Sequence, residues 1–412
     1  MNDIPFAISY QLAREPLPVT GEAQVAYLLL EVHSPEGKQP VRRPLNLSVV
    51  VDKSGSMRGP RMHYLKEGIG QIIDAMQPDD ILSVVSYDDM VTLVIPAQPV
   101  TDKVLLKDAI ALLDSGGGTM MSLGMSLGLA ELHQFAGPDH VSRMLLLTDG
   151  LTRDDESQCL LLAEEAARQG VAIDTFGCGA EWDAAFLEMI SIGTGGNYPI
   201  YIHSPIDIGS DFLKQVEATR ASLASGVALD IKFAAGIVPR RATRVSPFIR
   251  SVDNTINENE RTISLLLGDV EHDIPQTILI ELMVEPKRGG TFRIAQVEAR
   301  YQGMAEDDQP VRAEVVVAFS GSAAKRPKIR PLVLHYIERT TAARIIIRTL
   351  ADPGGERPPL SPSVIRLFDA SGRDLLEHIW AGKLLSPEEY KTLVTKVAEL
   401  TQVRRTPVAH ST

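Results

Sequence analysis

The spacing of hydrophobic and polar positions changes along the chain and predicts three kinds of structure. Residues 45–222 alternate short apolar runs with longer stretches whose apolar positions recur every three to four residues, as in buried strands and amphipathic helices. Residues 223–322 carry strand patterns without helices between them, and residues 323–412 are patterned as helices. We therefore expect a doubly wound, mostly parallel α/β domain, an antiparallel β region and a C-terminal helical region.

In the α/β region, Val49, Val50 and Val51 show no alternation, which is typical of a strand covered on both faces. A helix is predicted from Pro60, with an apolar stripe that includes Leu65. The other predicted elements are strands at 80–86, 91–95, 144–148 and 171–176, and helices from 102, from 119 with apolar positions Leu123, Leu127 and Ala130, and at 154–169, 183–190 and 206–221. Since only a four-residue turn precedes strand 91–95, we expect it to be an antiparallel edge strand.

The flanking segments predict a discontinuous β-sandwich. Strand patterns occur in the N-terminal segment, residues 1–44, and in the segment that follows the α/β region, at 6–12, 24–33, 227–233, 262–267, 277–284, 291–301 and 311–319. We expect residues 1–44 and 223–322 to form one sandwich with the domain of residues 45–222 inserted in it. The alternative is an N-terminal extension packed on the α/β domain. Residues 323–412 follow as helices, and Ser386 and Glu389 form a predicted capping box.

Oxygen-bearing side chains stand where the apolar runs end. Asp52-x-Ser54-x-Ser56 follows the first run, Thr119 follows three glycines ahead of a helix, and Asp149 follows the run 144–148. In a doubly wound sheet the carboxyl ends of the strands gather at one edge, and ligands bind where the strand order reverses. These five side chains could therefore converge on one cation, although each of them taken alone is more often a helix cap.

This set resembles the metal-ion-dependent adhesion site of von Willebrand factor type A (VWA) domains, and residues 45–220 resemble that family in element order, with an intracellular bacterial type implied. The matching motifs are D-x-S-G-S, G-G-G-T and L-T-D-G, together with Phe176-Gly177-Cys178-Gly179, Phe186 and Gly193-Thr194-Gly195-Gly196-Asn197-Tyr198, which resemble the last strand, helix and strand of such domains. The inserted arrangement resembles that of inter-α-inhibitor heavy chains and integrin β-type hybrid domains.

The resemblance implies a metal site. Ser54, Ser56 and Thr119 would supply hydroxyls, and Asp52 and Asp149 would bind the ion directly or through water. A small all-oxygen site of this kind suits Mg²⁺, with Mn²⁺ or Ca²⁺ as alternatives. Two carboxylates leave the ion electrophilic, so that an Asp or Glu from a partner is its natural further ligand.

The expected function is that of a non-enzymatic, metal-dependent protein-binding module. The resemblance allows a MoxR-type AAA+ ATPase as the partner, and a neighbouring subunit is an alternative. Two other hypotheses are a Mg²⁺-dependent phosphoryl-transfer or hydrolase enzyme that uses Asp52 as nucleophile and a structural scaffold with a vestigial metal site. Haloacid-dehalogenase-like phosphatases need a second Asp where this chain has Ser54, and the sequence contains neither a P-loop nor a G-x-S-x-G motif.

Several residues around the predicted site have two interpretations each. Three methionines, Met57, Met120 and Met121, either form an adaptable apolar surface or pack beneath the loops. Two cations, Lys53 and Arg58, could attract an acidic ligand. The charged run Arg153, Asp154 and Asp155 either shapes the same surface or is simply solvated.

Composition narrows the class of protein. The chain has 412 residues, of which 44% are hydrophobic and 23% charged, as in ordinary globular proteins. A net charge of −12 argues against general affinity for nucleic acid or anionic membranes. No apolar run approaches the roughly 20 residues of a membrane helix. Met1 to Pro5 are not a basic segment followed by a long apolar core, so we expect no signal peptide. With only Cys159 and Cys178, we expect reduced thiols and a cytoplasmic location.

Overall fold

The computed structural model describes residues 5–35, 42–137, 140–152, 155–179, 181–197, 199–272, 274–301, 304, 309–321, 327–352 and 358–398. The chain divides into two compact units. One comprises residues 1–38, 228–300 and 305–412, and the other comprises residues 39–227 and 301–304. The finer division at residues 44, 222 and 322 stays a prediction.

The N-terminal segment contains four strands, which belong to the first unit: β1 (Ala7–Leu12), β2 (Arg14–Glu15), β3 (Leu17–Pro18) and β4 (Gln24–His33). The α/β unit follows. Its elements are β5 (Leu45–Asp52), a 3₁₀ turn at Gly55–Met57, α1 (Pro60–Ala75), β6 (Ile81–Tyr87), β7 (Val91–Pro99), α2 (Lys103–Ala111), α3 (Met121–His133), β8 (Val141–Thr148), α4 (Glu156–Arg168), β9 (Ala172–Cys178), α5 (Ala184–Gly193), β10 (Ile200–Ile202) and α6 (Ile208–Arg220).

The α/β unit is a doubly wound sheet, as the sequence predicts. Its strand order is β10-β9-β8-β5-β6-β7, and all pairs are parallel except β6 and β7. The predicted antiparallel edge strand is thereby confirmed, although β7 extends to Pro99. From β5 the chain goes to β6 on one side and later returns to β8 on the other. The strand order therefore reverses between β5 and β8, and a crevice is expected at their carboxyl ends.

Helices cover both faces of this sheet. The core on one face joins Val49 and Val51 to side chains of α1, α2 and α6. The core on the other face joins Val50 to side chains of α3, α4 and α5. Burial of β5 on both faces explains why its sequence is apolar without alternation.

The apolar positions by which the sequence predicts α3 are mostly not the buried ones. Leu123 and Ala130 are exposed and Leu127 is half-buried, whereas Met121, Met125 and Leu129 belong to the core. The buried face also carries Gly124 and Gly128, where a Cβ atom would lie 2.5 Å from the Tyr87 ring and 2.6 Å from Val50 respectively. The helix thus packs through glycine close to the sheet, and a count of apolar side chains underestimates its buried face.

The first unit contains two further main sheets and the C-terminal helices. After β11 (Ser222–Phe233), which begins at the end of the α/β unit, the strands are β12 (Ile237–Ser246), β13 (Arg250–Ser251), β14 (Ile256–Asn257), β15 (Thr262–Glu271), β16 (Gln276–Val284), β17 (Gly290–Arg300), β18 (Val311–Ser320) and β19 (Lys328–Ile329). One sheet has the order β1-β4-β16-β12-β13, the other β14-β15-β11-β17-β18-β3, and β2 pairs with β19.

Both N-terminal and later strands contribute to these sheets, since β4 pairs antiparallel with β16 and β3 pairs with β18. The Tyr10 hydroxyl on β1 donates to the Val316 carbonyl on β18 at 3.1 Å and accepts from the Val316 amide at 3.0 Å. That the two sheets form a face-to-face sandwich stays a prediction.

The predicted helices of the C-terminal region are present. They are α7 (Pro331–Ala351), α8 (Pro362–Ile365), α9 (Ala370–Trp380) and α10 (Pro387–Ala398). The capping box of α10 is confirmed, because the Ser386 amide donates to Glu389 Oε2 at 2.8 Å and the Glu389 amide donates to Ser386 Oγ at 3.2 Å. In the part of the chain that the structure describes, none of the helices has the length and apolarity to cross a membrane.

Candidate metal centre

Four of the five predicted metal ligands lie together at the reversal of strand order. Asp52 is the last residue of β5, Ser54 and Ser56 lie in the loop that follows it, and Asp149 directly follows β8. The Ser54 and Ser56 hydroxyl oxygens are 2.9 Å apart, and Ser56 Oγ donates to Asp149 Oδ1 at 2.7 Å. The Ser54 amide donates to Asp52 Oδ1 at 2.8 Å. Strands β5 and β8 are adjacent, so the sheet itself brings the two carboxylates into one cluster.

The fifth predicted ligand, Thr119, lies in the loop that leads into α3. Backbone hydrogen bonds join this loop to the loop after β5: the Gly116 amide donates to the Lys53 carbonyl at 2.7 Å, and the Gly55 amide donates to the Gly117 carbonyl at 3.2 Å. Thr119 is itself buried. The loop that carries Thr119 therefore borders the loop that carries the two serines.

Two of the three glycines before Thr119 are required by this close approach. Gly117 adopts a φ of +81°, a left-handed conformation that favours glycine, and a Cβ atom there would lie 3.0 Å from the Asp88 carboxyl group. The Gly118 amide donates to Asp89 Oδ2 at 2.8 Å, and its Cα faces the same carboxylate too closely for a side chain. The G-G-G-T motif thus lets the loop fold against the turn between β6 and β7.

Burial makes the Asp52 carboxyl group an unfavourable place for a bare negative charge. Asp52 is fully buried, and its burial raises the pKa of the carboxyl group to about 6; the nearby charge of Asp149 adds to this rise, and the hydrogen bonds from Ser54 oppose it. Buried carboxylates of this kind are stabilised by a cation. Within the described ranges no three His, Cys, Asp or Glu side chains cluster as metal ligands. A cation at this cluster would therefore be held by two carboxylates and neutral hydroxyls, a donor set that suits a hard ion.

Two residues of the cluster are not predicted from the sequence. Thr148, the last residue of β8, donates its hydroxyl to Asp52 Oδ2 at 3.0 Å. Arg61, in the first turn of α1, donates from Nη1 to Asp149 Oδ2 at 2.5 Å and to the Ser56 carbonyl at 3.2 Å. Thr148 belongs to the L-T-D-G motif, and an arginine at a helix N-terminus, where the helix dipole disfavours a cation, is the signal that could have revealed Arg61.

For most of the residues that have two interpretations, packing decides between the two. Met57 and Met121 are core residues, and Met120 is half-buried. Lys53 forms an ion pair with Asp88 and is mostly buried. Arg58 is exposed.

Asp155 is buried rather than solvated. Its Oδ2 accepts the Ser122 amide at 2.7 Å and so satisfies a backbone donor in the first turn of α3, and its Oδ1 accepts from the Thr152 hydroxyl. The structural role of Asp155 is therefore to fix the start of α3. Arg153 and Asp154 lie outside the described residues.

These features define an α/β domain with a cluster of carboxylates and hydroxyls at the carboxyl edge of its sheet. Residues 46–209 match the von Willebrand factor type A domain family, and this part of the chain is a VWA domain.

Two similar proteins differ in how much of the chain they match. The uncharacterized protein sll0103 of Synechocystis sp. is 29% identical over 316 residues, which is 73% of this chain and 74% of that protein. Human inter-alpha-trypsin inhibitor heavy chain H1 is 28% identical over 164 residues, or 37% of this chain, and the match spans only 18% of the heavy chain.

Two solved structures cover nearly the whole chain. A von Willebrand factor type A protein from Catenulispora acidiphila has a TM-score of 0.74 and 18% identity over 95% of this chain and 96% of that one. The ArnB paralog VWA2 from Sulfolobus acidocaldarius has a TM-score of 0.54 and 13% identity over 97% and 98% of the two chains. At these identities the likeness concerns the fold alone.

Proposed function

We propose that the VWA domain binds one divalent cation through Asp52, Ser54, Ser56, Thr119 and Asp149, and that this ion coordinates an Asp or Glu of a protein partner. The observation that carries the proposal is the hydrogen-bonded series from Ser54 through Ser56 to Asp149, beside the buried Asp52, at the reversal of strand order. VWA domains in general are protein-interaction modules, many of them metal-dependent, which agrees with this role.

Mg²⁺ is the ion that we propose, with Mn²⁺ and Ca²⁺ as alternatives. Three of the five ligands are neutral hydroxyls, and the remaining two are carboxylates, so the protein ligands would balance the charge of a divalent ion without exceeding it. Such an ion supplies an electrophilic position that a carboxylate can occupy by a charge-assisted contact. The residues of this chain would hold the ion at the ends of β5 and β8 and leave one coordination position open to the partner.

We propose binding rather than catalysis as the activity. A nucleophilic Asp52 would need an accessible oxygen, but Asp52 is fully buried, Oδ1 accepts from the Ser54 amide and Oδ2 accepts from the Thr148 hydroxyl. Turnover of phosphate esters with Mg²⁺ that is abolished by Asp52→Asn would establish the enzyme hypothesis instead.

The partner is proposed by its chemistry. It presents an Asp or Glu to the ion, and the candidates are a MoxR-type AAA+ ATPase or a second copy of this chain. We propose that the interaction takes place in the cytoplasm, where the two buried free thiols, Cys159 and Cys178, would stay reduced.

A pull-down in Mg²⁺ and in EDTA, read by mass spectrometry, tests the proposed function. Bait proteins would be the wild type, Thr119→Val, and Thr101→Val as a matched control, because Thr101 is an exposed threonine ahead of α2. We expect specific partners in Mg²⁺ with the wild type and the control, and their loss in EDTA and with Thr119→Val. Equal recovery of the same partners in EDTA would contradict metal-dependent binding.

A further inference from the structure

The Asp149 carboxylate is shared by two chemically different neighbours. Oδ1 accepts from the Ser56 hydroxyl at 2.7 Å, and Oδ2 accepts from Arg61 Nη1 at 2.5 Å. The Asp149 side chain is fully buried, whereas that of Arg61 is 32% exposed. A guanidinium group that belongs to α1 thus reaches a proposed metal ligand from the solvent side.

The contact with Asp149 explains why an arginine occupies the first turn of α1. Pro60 and Arg61 are the first two residues of the helix, and the positive end of the helix dipole disfavours a cation there. Its contacts with the Asp149 carboxylate and the Ser56 carbonyl, at 2.5 and 3.2 Å, offset that effect. The charge of Arg61 is therefore matched to the carboxylate rather than to the helix.

A divalent ion bound by Asp149 would compete with this contact. The ion and the Arg61 guanidinium would bind the same Asp149 carboxylate. Two positive charges on one carboxylate lie close together and repel each other in a mostly buried site. The side chain of Arg61 is long and partly exposed, so it can rotate towards solvent while Asp149 stays fixed at the end of β8.

We propose that Arg61 is a tethered counterion of Asp149, which the divalent ion displaces on binding, and that Arg61 thereby sets the affinity of the domain for the ion. This inference rests on the proposed metal site. It assigns to Arg61 two effects: it stabilises the domain without metal, and it raises the concentration of metal needed for loading. Because the ion displaces the Arg61 guanidinium, this group would lie in different places in the ion-free and the ion-loaded forms.

The structure offers a built-in reporter of this displacement. A Cβ atom on Gly179 would lie 2.8 Å from Arg61 Nη2, and the Gly179 carbonyl accepts from Trp182 Nε1 at 2.8 Å. Movement of the guanidinium should therefore change the environment of Trp182. The chain has two tryptophans, and the other, Trp380, lies in α9 of the other unit. The substitution Trp380→Phe makes the emission specific for Trp182.

The test is a titration of Mg²⁺, and separately of Mn²⁺, into full-length protein that carries Trp380→Phe, followed by calorimetry and by Trp182 fluorescence. Arg61→Ala and Arg61→Gln remove the cation, and Gln keeps most of the side-chain length. Arg58→Ala is the matched control, because Arg58 is an exposed arginine in the loop just before α1. Far-UV circular dichroism in EDTA verifies that each variant is folded.

We expect both Arg61 variants to bind the ion roughly tenfold more tightly than the parent, because a charge-assisted hydrogen bond no longer opposes binding. Arg58→Ala should change the affinity less than threefold. The metal-dependent change in Trp182 emission should be present in the parent and in Arg58→Ala and be reduced in the Arg61 variants, which have no guanidinium to move.

Two results would overturn the inference and are distinguishable. Binding to the parent with unchanged or weaker affinity in both Arg61 variants would refute the role of Arg61 and leave the metal site intact. No binding of either ion to any of these proteins would refute both the inference and the proposed metal site. Binding to the Arg61 variants alone would support the inference, since Arg61 would then exclude the ion from the parent.

Discussion

Each oxygen of the Asp52 carboxyl group accepts a hydrogen bond, Oδ1 from the Ser54 amide and Oδ2 from the Thr148 hydroxyl. A carboxylate that has lost its water depends on such donors, because an unsatisfied buried charge costs several kcal/mol. Thr148 is thus a positioning residue for the proposed metal ligand, and its contribution can be measured without any metal.

Thr148→Val should lower the free energy of unfolding in EDTA by about 1–3 kcal/mol, because valine keeps the shape of threonine but leaves a charged acceptor without its donor. Urea denaturation measures the change. Thr175→Val is the matched control: Thr175 is buried in the adjacent strand β9 and donates to the neutral Leu187 carbonyl at 3.3 Å. Its loss should be smaller, about 0.5–1.5 kcal/mol. Equal losses would show that Asp52 does not depend on Thr148.

The two thiols should be protected from alkylation at neutral pH. Burial raises the pKa of Cys178 to about 11 and that of Cys159 further still. Because the thiolate is the reactive form, a raised pKa lowers the reactive fraction at pH 8, and the rate should rise with pH well beyond the value for an ordinary thiol. Mass spectrometry of iodoacetamide-treated protein measures this. Both thiols should react readily in denaturant, and fast labelling of the native protein at pH 8 would contradict their burial.

At the scale of single elements, α3 packs on the sheet through two glycines. Gly124→Ala places a methyl group 2.5 Å from the Tyr87 ring, so we expect destabilisation by about 1–3 kcal/mol even though alanine favours helices. Gly70→Ala in α1 is the control, since its Cβ would meet nothing within 4 Å, and it should stabilise the protein by about 0.5–1 kcal/mol. Thermal or urea unfolding distinguishes the expected loss of stability in Gly124→Ala from the expected gain in Gly70→Ala. A stabilising Gly124→Ala would contradict the close packing of α3.

The same elements explain which parts of the fold are predictable. The strand at β5 and the helix α1 are predicted because burial and sequence periodicity agree. The buried face of α3 is missed because glycine contributes close contact without apolar atoms. Strand β12 is missed because irregular pairing near Pro239 and Arg244 breaks its alternation, and Arg244 is buried within it. Ladder irregularities and buried cations carry no local sequence signal.

The site is predictable to a similar degree. Its hydroxyls and carboxylates follow from motifs at strand ends, because the parallel sheet brings those ends together. The contacts made by Thr148 and Arg61 depend on side-chain directions that no spacing encodes. The same holds for Lys53, which pairs with Asp88, a carboxylate at the next strand end.

For the whole molecule, binding of an ion to the native state alone should raise thermal stability. At a Mg²⁺ concentration of about 100 times the dissociation constant, linkage adds about 2.7 kcal/mol, which corresponds to a rise in Tm of roughly 5–10 °C for the domain. Calorimetric scans with Mg²⁺ and with NaCl of equal ionic strength measure it. Asp149→Asn should remove the rise, whereas Asp102→Asn, which alters the N-cap of α2, should keep it. An identical rise in NaCl would identify screening of the net charge of −12 rather than specific binding.

The proposed metal site is tested most directly by locating its ion. Crystals of the full-length protein soaked in MnCl₂, with data collected at a wavelength where manganese scatters anomalously, locate it directly. We predict a single strong anomalous peak at direct ligand distance, about 2.0–2.2 Å, from the Ser54 and Ser56 hydroxyls and bordered by Thr119, Asp52 and Asp149. A map with no peak at this edge of the sheet, or with Thr119 turned away from the peak, would contradict the central claim.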